Sequence, residues 1–112
     1  MRVPFKLKHL VGGRINDLFA NPMALAIQDA GIRTCQVHGN GLILWNGGAA
    51  YLPPEIKQMH HAMITGDRYE ALAPEVHDHI RKLTHQQKGK AVASVDLTPE
   101  SVLFSFTVAH AA

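Results

Sequence analysis

The sequence has one cysteine, little net charge and no long apolar run among its 112 residues. A single cysteine, Cys35, excludes a disulfide within the chain and agrees with a reducing compartment. The longest apolar runs are far shorter than the roughly 20 residues of a membrane-spanning helix. The N-terminal residues MRVPFKLKHL also lack the apolar core and cleavage site of a secretory signal. We therefore expect a cytoplasmic protein with no membrane partner.

The formal net charge of +2 is too small to mark a nucleic-acid-binding protein. The basic residues nevertheless form two clusters, one before the first acidic residue and one within residues 81–90. They are Arg2, Lys6, Lys8, Arg14, Arg81, Lys82, Lys88 and Lys90. A solvated strand face and the last turn of a helix explain them more simply. A phosphate-binding patch for nucleic acid is the alternative that we keep.

The length fits one domain, and we expect residues 1–112 to form a single α+β domain. Val3, Phe5 and Leu7 alternate with Pro4, Lys6 and Lys8, which predicts a half-buried strand. Because proline cannot donate a ladder hydrogen bond, Pro4 confines this strand to an edge or a strand start.

Two helices have clear start or stop signals. Asn21 and Pro22 are an N-cap and a first helical residue. Gly31 is placed as the left-handed residue that ends this helix, with Ile32 in contact with Ile27 as in a Schellman motif. A second helix begins after Pro53 and ends at Gly66.

A third helix is predicted from residue 67 to about residue 85. Asp67 and Glu70 resemble a capping box at its start. Pro74 either kinks this helix or begins its longer half. Residues 84–90 are predicted to form a polar loop.

Two Asn-Gly pairs, at residues 40–41 and 46–47, predict a three-stranded meander over residues 33–52. With two-residue loops, Ile43 lies opposite both His38 and Ala50. One face then carries Cys35, Val37, Leu42, Leu44, Ala49 and Tyr51 and should meet the core. The second face carries Gln36, His38, Ile43, Trp45, Ala50 and Leu52, and its apolar residues need a cover.

Residues 91–110 predict a C-terminal hairpin about a turn at residues 98–101. In its last strand the core side is assigned to Val102, Phe104, Phe106 and Val108. The predicted fold is therefore a mostly antiparallel sheet of five to six strands, made of the meander and this hairpin, with two to three helices packed mainly on one face.

The eight histidines offer no local metal site, because no two of them are three or four residues apart. His60 shares an apolar stripe with Ile56 and Met63, which indicates a core-edge histidine with one hydrogen-bond partner. Cys35 and His38 fall on opposite faces of a strand and cannot form a dyad, so Cys35 is read as a small buried apolar residue. We predict no catalytic residue, no metal ligand and no cofactor.

The leading functional hypothesis is a non-catalytic protein-binding or assembly subunit, homo-oligomeric or bound to another protein. Accessory and structural proteins of phages and mobile elements are often of this kind. Its predicted interface on the second face of the meander is Trp45, Ile43, Leu52, His38 and Gln36. The competing interpretation is that the chain itself covers this face. The alternatives are a nucleic-acid-binding accessory protein and a histidine-based metal protein or enzyme, with a site assembled from distant residues such as His38, His60 and His79.

Overall fold

The computed structural model describes residues 1–66, 68–74, 76–78 and 100–109. In chain order these form strand β1 (Arg2–Lys6), helices α1 (Leu7–Gly12) and α2 (Pro22–Asp29), strands β2 (Gln36–Val37), β3 (Leu42–Trp45) and β4 (Gly48–Tyr51), helix α3 (Pro54–Thr65) and strand β5 (Val102–Thr107). Residues 68–73 are not helical, so the prediction of helix at these positions is wrong. Pro74 and residues 76–78 are helical, which agrees with Pro74 as the start of a helix rather than a kink in one. The predicted α+β class is confirmed.

The described strands form two antiparallel sheets, so the predicted single sheet of five to six strands is not confirmed. One sheet pairs β1 with β5, and the other has the order β2-β3-β4. Helix α2 contacts both β1 and β2 and therefore lies between the sheets. Residues 91–99 of the predicted C-terminal hairpin, like Asp67 and residues 79–90, lie outside the described residues.

Strand β1 ends one residue earlier than the alternation of Val3, Phe5 and Leu7 predicts, because a short helix follows it. His9 starts this helix: its Nδ1 accepts the backbone N–H of Lys6 at 2.9 Å. The prediction of strand at Leu7 is therefore wrong. Pro4 pairs with Ser105 in a strand whose described neighbour is β5 alone, as an edge strand allows.

The side-chain alternation of β5 is reversed at its start. The pairing of β1 with β5 shifts register between Phe5 and Lys6, which pair with Phe104 and Val102. This irregularity turns Leu103 into the core and leaves Val102 exposed, against the prediction.

Helix α2 has the predicted ends. Asn21 caps it through a hydrogen bond from the Ala24 N–H to Oδ1 at 2.9 Å. At the other end Gly31 has φ +128, its N–H bonds to the Gln28 carbonyl, and the Ile32 N–H bonds to the Ile27 carbonyl. This pair of bonds is the predicted Schellman motif.

The first hairpin of the meander differs from the prediction by one residue. Val37 pairs with Ile43, so the loop is the three-residue segment 39–41 instead of the pair 40–41. The side-chain Oδ1 of Asn40 accepts the Leu42 N–H at 3.1 Å. Gly41 has φ +85, and a Cβ on it would lie 2.9 Å from Cγ of Lys57. The loop therefore packs tightly against α3.

This shift reverses the two faces of β3. Ile43 points into the core and Leu44 points away from it, so the predicted assignment of these faces is wrong. The second hairpin has the predicted two-residue loop and register, with Ile43 opposite Ala50. Val37, Ile43 and Ala50 join residues of β1 and α2 in one buried core.

Candidate protein-binding surface

The three-stranded sheet turns one face to the core and leaves the other at the surface. Residues paired across antiparallel strands share a face, and the buried face is the one with Val37, Ile43 and Ala50. The opposite face, here called the outer face, consists of Gln36, Leu42, Leu44, Ala49 and Tyr51. Tyr51 is 63% exposed and the other four are half-buried.

A groove of about 370 Å³ borders this outer face. It is lined by Phe19, Thr34, Gln36, Leu44, Trp45 and Asn46. Phe19 is 52% exposed, and Trp45 packs its indole over Gly48. A Cβ on Gly48 would lie 2.8 Å from Cζ2 of Trp45. A side chain at this position would displace the indole, so Gly48 fixes one wall of the groove.

The groove and the outer face carry no charged residue. No Asp, Glu, Lys or Arg occurs between Arg33 and Glu55, and this run supplies the entire sheet and all the groove residues except Phe19. The core of a protein interface is typically depleted of charged residues and enriched in aromatic ones, and this surface has both features.

The segment before α2 adds exposed apolar area next to the groove. Ile15, Leu18 and Phe19 are all more than two-fifths exposed. Their backbone is held in place, because the Asp17 carboxylate accepts the Phe19 N–H at 2.9 Å and the Gln28 side chain donates to the Phe19 carbonyl at 2.6 Å. These side chains are therefore presented on a fixed backbone.

The five predicted interface residues fall in different environments. Gln36 and Trp45 line the groove. His38 is half-buried at the end of β2. Ile43 and Leu52 are 0% and 3% exposed, and the chain itself covers them.

Sequence reasoning missed Phe19, because Ile15, Leu18 and Phe19 have a helical spacing that predicts a short turn of helix from Arg14. In the structure these residues are not helical. The signal that could have located the surface is the absence of charge from residue 34 to residue 54.

His9 and Asp29 join α1 to α2. The Nδ1 of His9 accepts the Lys6 N–H, so Nε2 carries the proton that it donates to Asp29 Oδ2 at 2.6 Å. Burial lowers the pKa of His9 and outweighs the opposing effect of Asp29. The hydrogen bond from His9 in turn lowers the pKa of the Asp29 carboxyl. Both ring nitrogens are engaged, so the pair has no nitrogen with which to take a proton from a substrate.

His60 has the role that its place on the apolar stripe predicts. It is fully buried, and its Nε2 donates to the His38 carbonyl at 3.0 Å. Burial lowers the pKa of His60. Its Nδ1 and the Nε2 of His38 are buried, and neither atom has a hydrogen-bond partner among the described residues. His79, the third member of the hypothetical site, lies outside the described residues, and within those residues no three potential metal ligands come together.

Cys35 lies in the core, as predicted. Its Sγ donates to the Ala24 carbonyl at 3.4 Å. Burial raises the pKa of the thiol to about 11. The side chain therefore stays protonated and is not an active nucleophile.

The N-terminal basic residues do not act as one group. Arg2 and Lys6 line a cavity of about 270 Å³ together with His9 and Asp29. Lys8 is paired with Asp29 at 3.1 Å, so part of this positive charge is neutralised. Arg14 is exposed in the segment after α1. Arg81, Lys82, Lys88 and Lys90 lie outside the described residues.

Among the helices of the described residues, none has the length and hydropathy of a transmembrane segment. Comparison of the chain with models of protein families, with curated proteins and with solved structures gave no match.

Proposed function

We propose that the protein is a non-catalytic assembly subunit that self-associates through the outer face of its three-stranded sheet and the adjoining groove. The observation that carries this proposal is the absence of charge from the whole surface, in combination with the exposed rings of Phe19 and Tyr51. Trp45, which is partly buried against the core, lines the adjoining groove. Aromatic residues in a setting without charge are typical of the centre of an interface.

A second copy is the partner that this distribution of charge favours. Two outer faces in contact bring no charged side chain next to another of the same sign, and the net charge of +2 comes from residues elsewhere in the chain. Most soluble oligomers are also homomeric, with the same patch used by both copies. Both ring nitrogens of His9 are engaged, and His60 and Cys35 are fully buried away from any substrate. These environments support a binding function over catalysis.

Sedimentation equilibrium from low to high micromolar concentration tests the proposal. Phe19→Glu places a charge in the groove, and we expect it to weaken self-association by about tenfold or more. Val11→Glu is the matched control, because Val11 is 65% exposed but lies on α1. A chain that is monomeric at every concentration would contradict the proposal, as would equal weakening by the two variants.

A nucleic-acid-binding function is the second candidate. Arg2 and Lys6 line the same cavity, which favours contact with a phosphate group. The Asp29 carboxylate in that cavity opposes an anion. Binding to short DNA or RNA duplexes and single strands should weaken as salt rises and should be lost in the double variant Arg2→Ala, Lys6→Ala. Absence of binding at low salt would remove this candidate.

A further inference from the structure

The three-stranded sheet has two edges that differ in their hydrogen bonding. At the β2 edge, the N–H of Val37 donates to the Leu18 carbonyl at 3.0 Å. The side chain of Asn21 donates to the Val37 carbonyl at 2.8 Å. The segment before α2 therefore closes this edge, and no further strand can pair with it.

The backbone groups at the β4 edge follow from the register. The Leu52 N–H bonds to the Gly41 carbonyl at 2.9 Å, and hydrogen-bonded pairs alternate along an antiparallel ladder. Ala50 is therefore bonded to Ile43, whereas the N–H and C=O groups of Ala49 and Tyr51 point away from β3. Within the part of the chain that the structure describes, nothing bonds to these four groups.

Strand β4 also lacks the features that usually protect an edge. Such features are charged side chains, proline and bulges. Residues 48–51 contain no charge and no proline, and their pairing with β3 is regular. Strand β1 has all three, since it contains Pro4, Arg2 and Lys6 and an irregular register.

We propose that β4 pairs antiparallel with β4 of a second copy to form a continuous six-stranded sheet. A twofold axis normal to the sheet places residues of the same face opposite each other. With Ala50 opposite Ala50 of the second copy, Ala49 lies opposite Tyr51 in both directions. The outward groups then form four N–H···O bonds, and each Tyr51 ring packs over the small side chain of Ala49.

This register favours a second copy over an unrelated extended segment, because Ala49 and Tyr51 of each copy supply the donors and acceptors that Tyr51 and Ala49 of the other copy require, and the Tyr51 ring has the small Ala49 side chain opposite it. The inference extends the proposed function with a second contact. The groove is lined by residues of β2, β3 and the neighbouring loops, and neither Ala49 nor Tyr51 of the β4 edge lines it. Variants can therefore disrupt the edge and the groove separately.

Cysteine cross-linking tests the register. In a background with Cys35→Ala, the variants Ala49→Cys and Tyr51→Cys are oxidised separately and as a mixture. Opposed residues are about 5.5 Å apart between Cα atoms, within disulfide range. A residue and its own symmetry mate are about 8 Å apart in this register, which is too far. We expect a cross-linked dimer in the mixture only. Absence of cross-linking in the mixture, or equal cross-linking in the separate samples, would overturn the register.

Proline substitution tests the edge itself. Ala49→Pro removes an outward N–H but no bond to β3, so the chain should fold, as circular dichroism would show, and should self-associate at least about tenfold more weakly. Ala50→Pro is the contrasting variant, because it removes a bond to Ile43 and should destabilise the monomer.

If Ala49→Pro associates like the wild type while Phe19→Glu does not, the edge inference fails and the proposed function stands. Leu44→Glu changes the outer face on β3, away from the β4 edge. If Phe19→Glu and Leu44→Glu both have no effect while Ala49→Pro dissociates the copies, the outer-face proposal fails and the edge contact stands. A chain that is monomeric throughout overturns both.

Discussion

Replacement of Asn21 by alanine should destabilise the fold by about 2 to 4 kcal/mol, as the sum of two losses. The side chain is 3% exposed. Its Oδ1 caps α2 by accepting the Ala24 N–H, and its amide nitrogen donates to the Val37 carbonyl. Loss of an N-cap costs about 1 kcal/mol. A buried carbonyl left without its donor costs about 1 to 3 kcal/mol more. The total is a large share of the roughly 5 to 15 kcal/mol that stabilises a domain.

Asn21→Asp separates these two contributions. Aspartate keeps the capping oxygen, but it places a carboxylate against the Val37 carbonyl, where the amide supplied a proton. Near neutral pH this variant should be at least as unstable as Asn21→Ala. Its carboxyl pKa should be raised in the folded state, so the folded protein binds the proton more readily than the unfolded chain. Stability of this variant relative to the wild type should therefore rise as the pH falls.

Urea unfolding followed by far-UV circular dichroism gives the free energy of unfolding for each variant. The control is Asn16→Ala, at an exposed position in the same segment, which should change stability by less than about 0.5 kcal/mol. If Asn21→Asp has the same free energy of unfolding as the wild type near neutral pH, the role assigned to the Val37 hydrogen bond is refuted. A cost of Asn21→Ala no larger than that of the control would also refute it.

Three further predictions concern the core, the first hairpin and the buried histidine. Ile43→Ala should cost about 2 to 5 kcal/mol in urea unfolding, because Ile43 is fully buried. Leu44→Ala, at the half-buried neighbour, should cost at most about 1.5 kcal/mol, and equal costs would contradict the observed faces. Gly41→Ala should cost about 1 to 2 kcal/mol, because φ at this position is +85; Gly39→Ala, at a position without positive φ, should change stability by less than about 0.5 kcal/mol. Burial lowers the pKa of His60 from the ordinary 6.5, so the unfolded chain binds protons first and the urea midpoint should fall as the pH drops below 6.5. A midpoint that rises over that range would show that His60 is not buried in its neutral form.

The features that were predicted correctly depend on chemistry within a few residues of chain. Asn21 and Pro22 begin α2 for two local reasons. The Asn21 side-chain oxygen accepts a backbone N–H of the first turn, and the proline ring of Pro22 fixes φ near its helical value. Gly31 ends it because a left-handed conformation costs glycine little. His60 is buried because its position in α3 follows the apolar period. None of these outcomes requires knowledge of a distant partner.

The features that were missed depend on contacts between distant segments or on an unusual local bond. The alternation of Val3, Phe5 and Leu7 continues past the end of β1. The chain nevertheless turns into a helix there, because the His9 imidazole accepts a hydrogen bond from the Lys6 N–H in the first turn. Histidine is not among the usual capping residues, so the sequence did not predict a helix start at this position.

In the first hairpin, Asn40 and Gly41 are equally compatible with a two-residue and a three-residue loop. We attribute the three-residue loop to the packing of Gly41 against Lys57 of α3. Because side chains alternate along a strand, that one residue decides which face of β3 meets the core. The predicted interface therefore included Ile43, a core residue, and left out Leu44.

The distribution of charge between the two sheets leads to one more prediction. Arg2 and Lys6 belong to β1, whereas the three strands from β2 to β4 contain no charged residue. Ions screen contacts between charged surfaces within a Debye length of about 10 Å at 0.1 M salt, but they have little effect on a contact between uncharged ones. Self-association through the outer face or the β4 edge should therefore have nearly the same Kd at low and at moderate salt. Sedimentation equilibrium at the two salt concentrations measures this directly, and a strong salt dependence would instead place the contact at the β1 sheet.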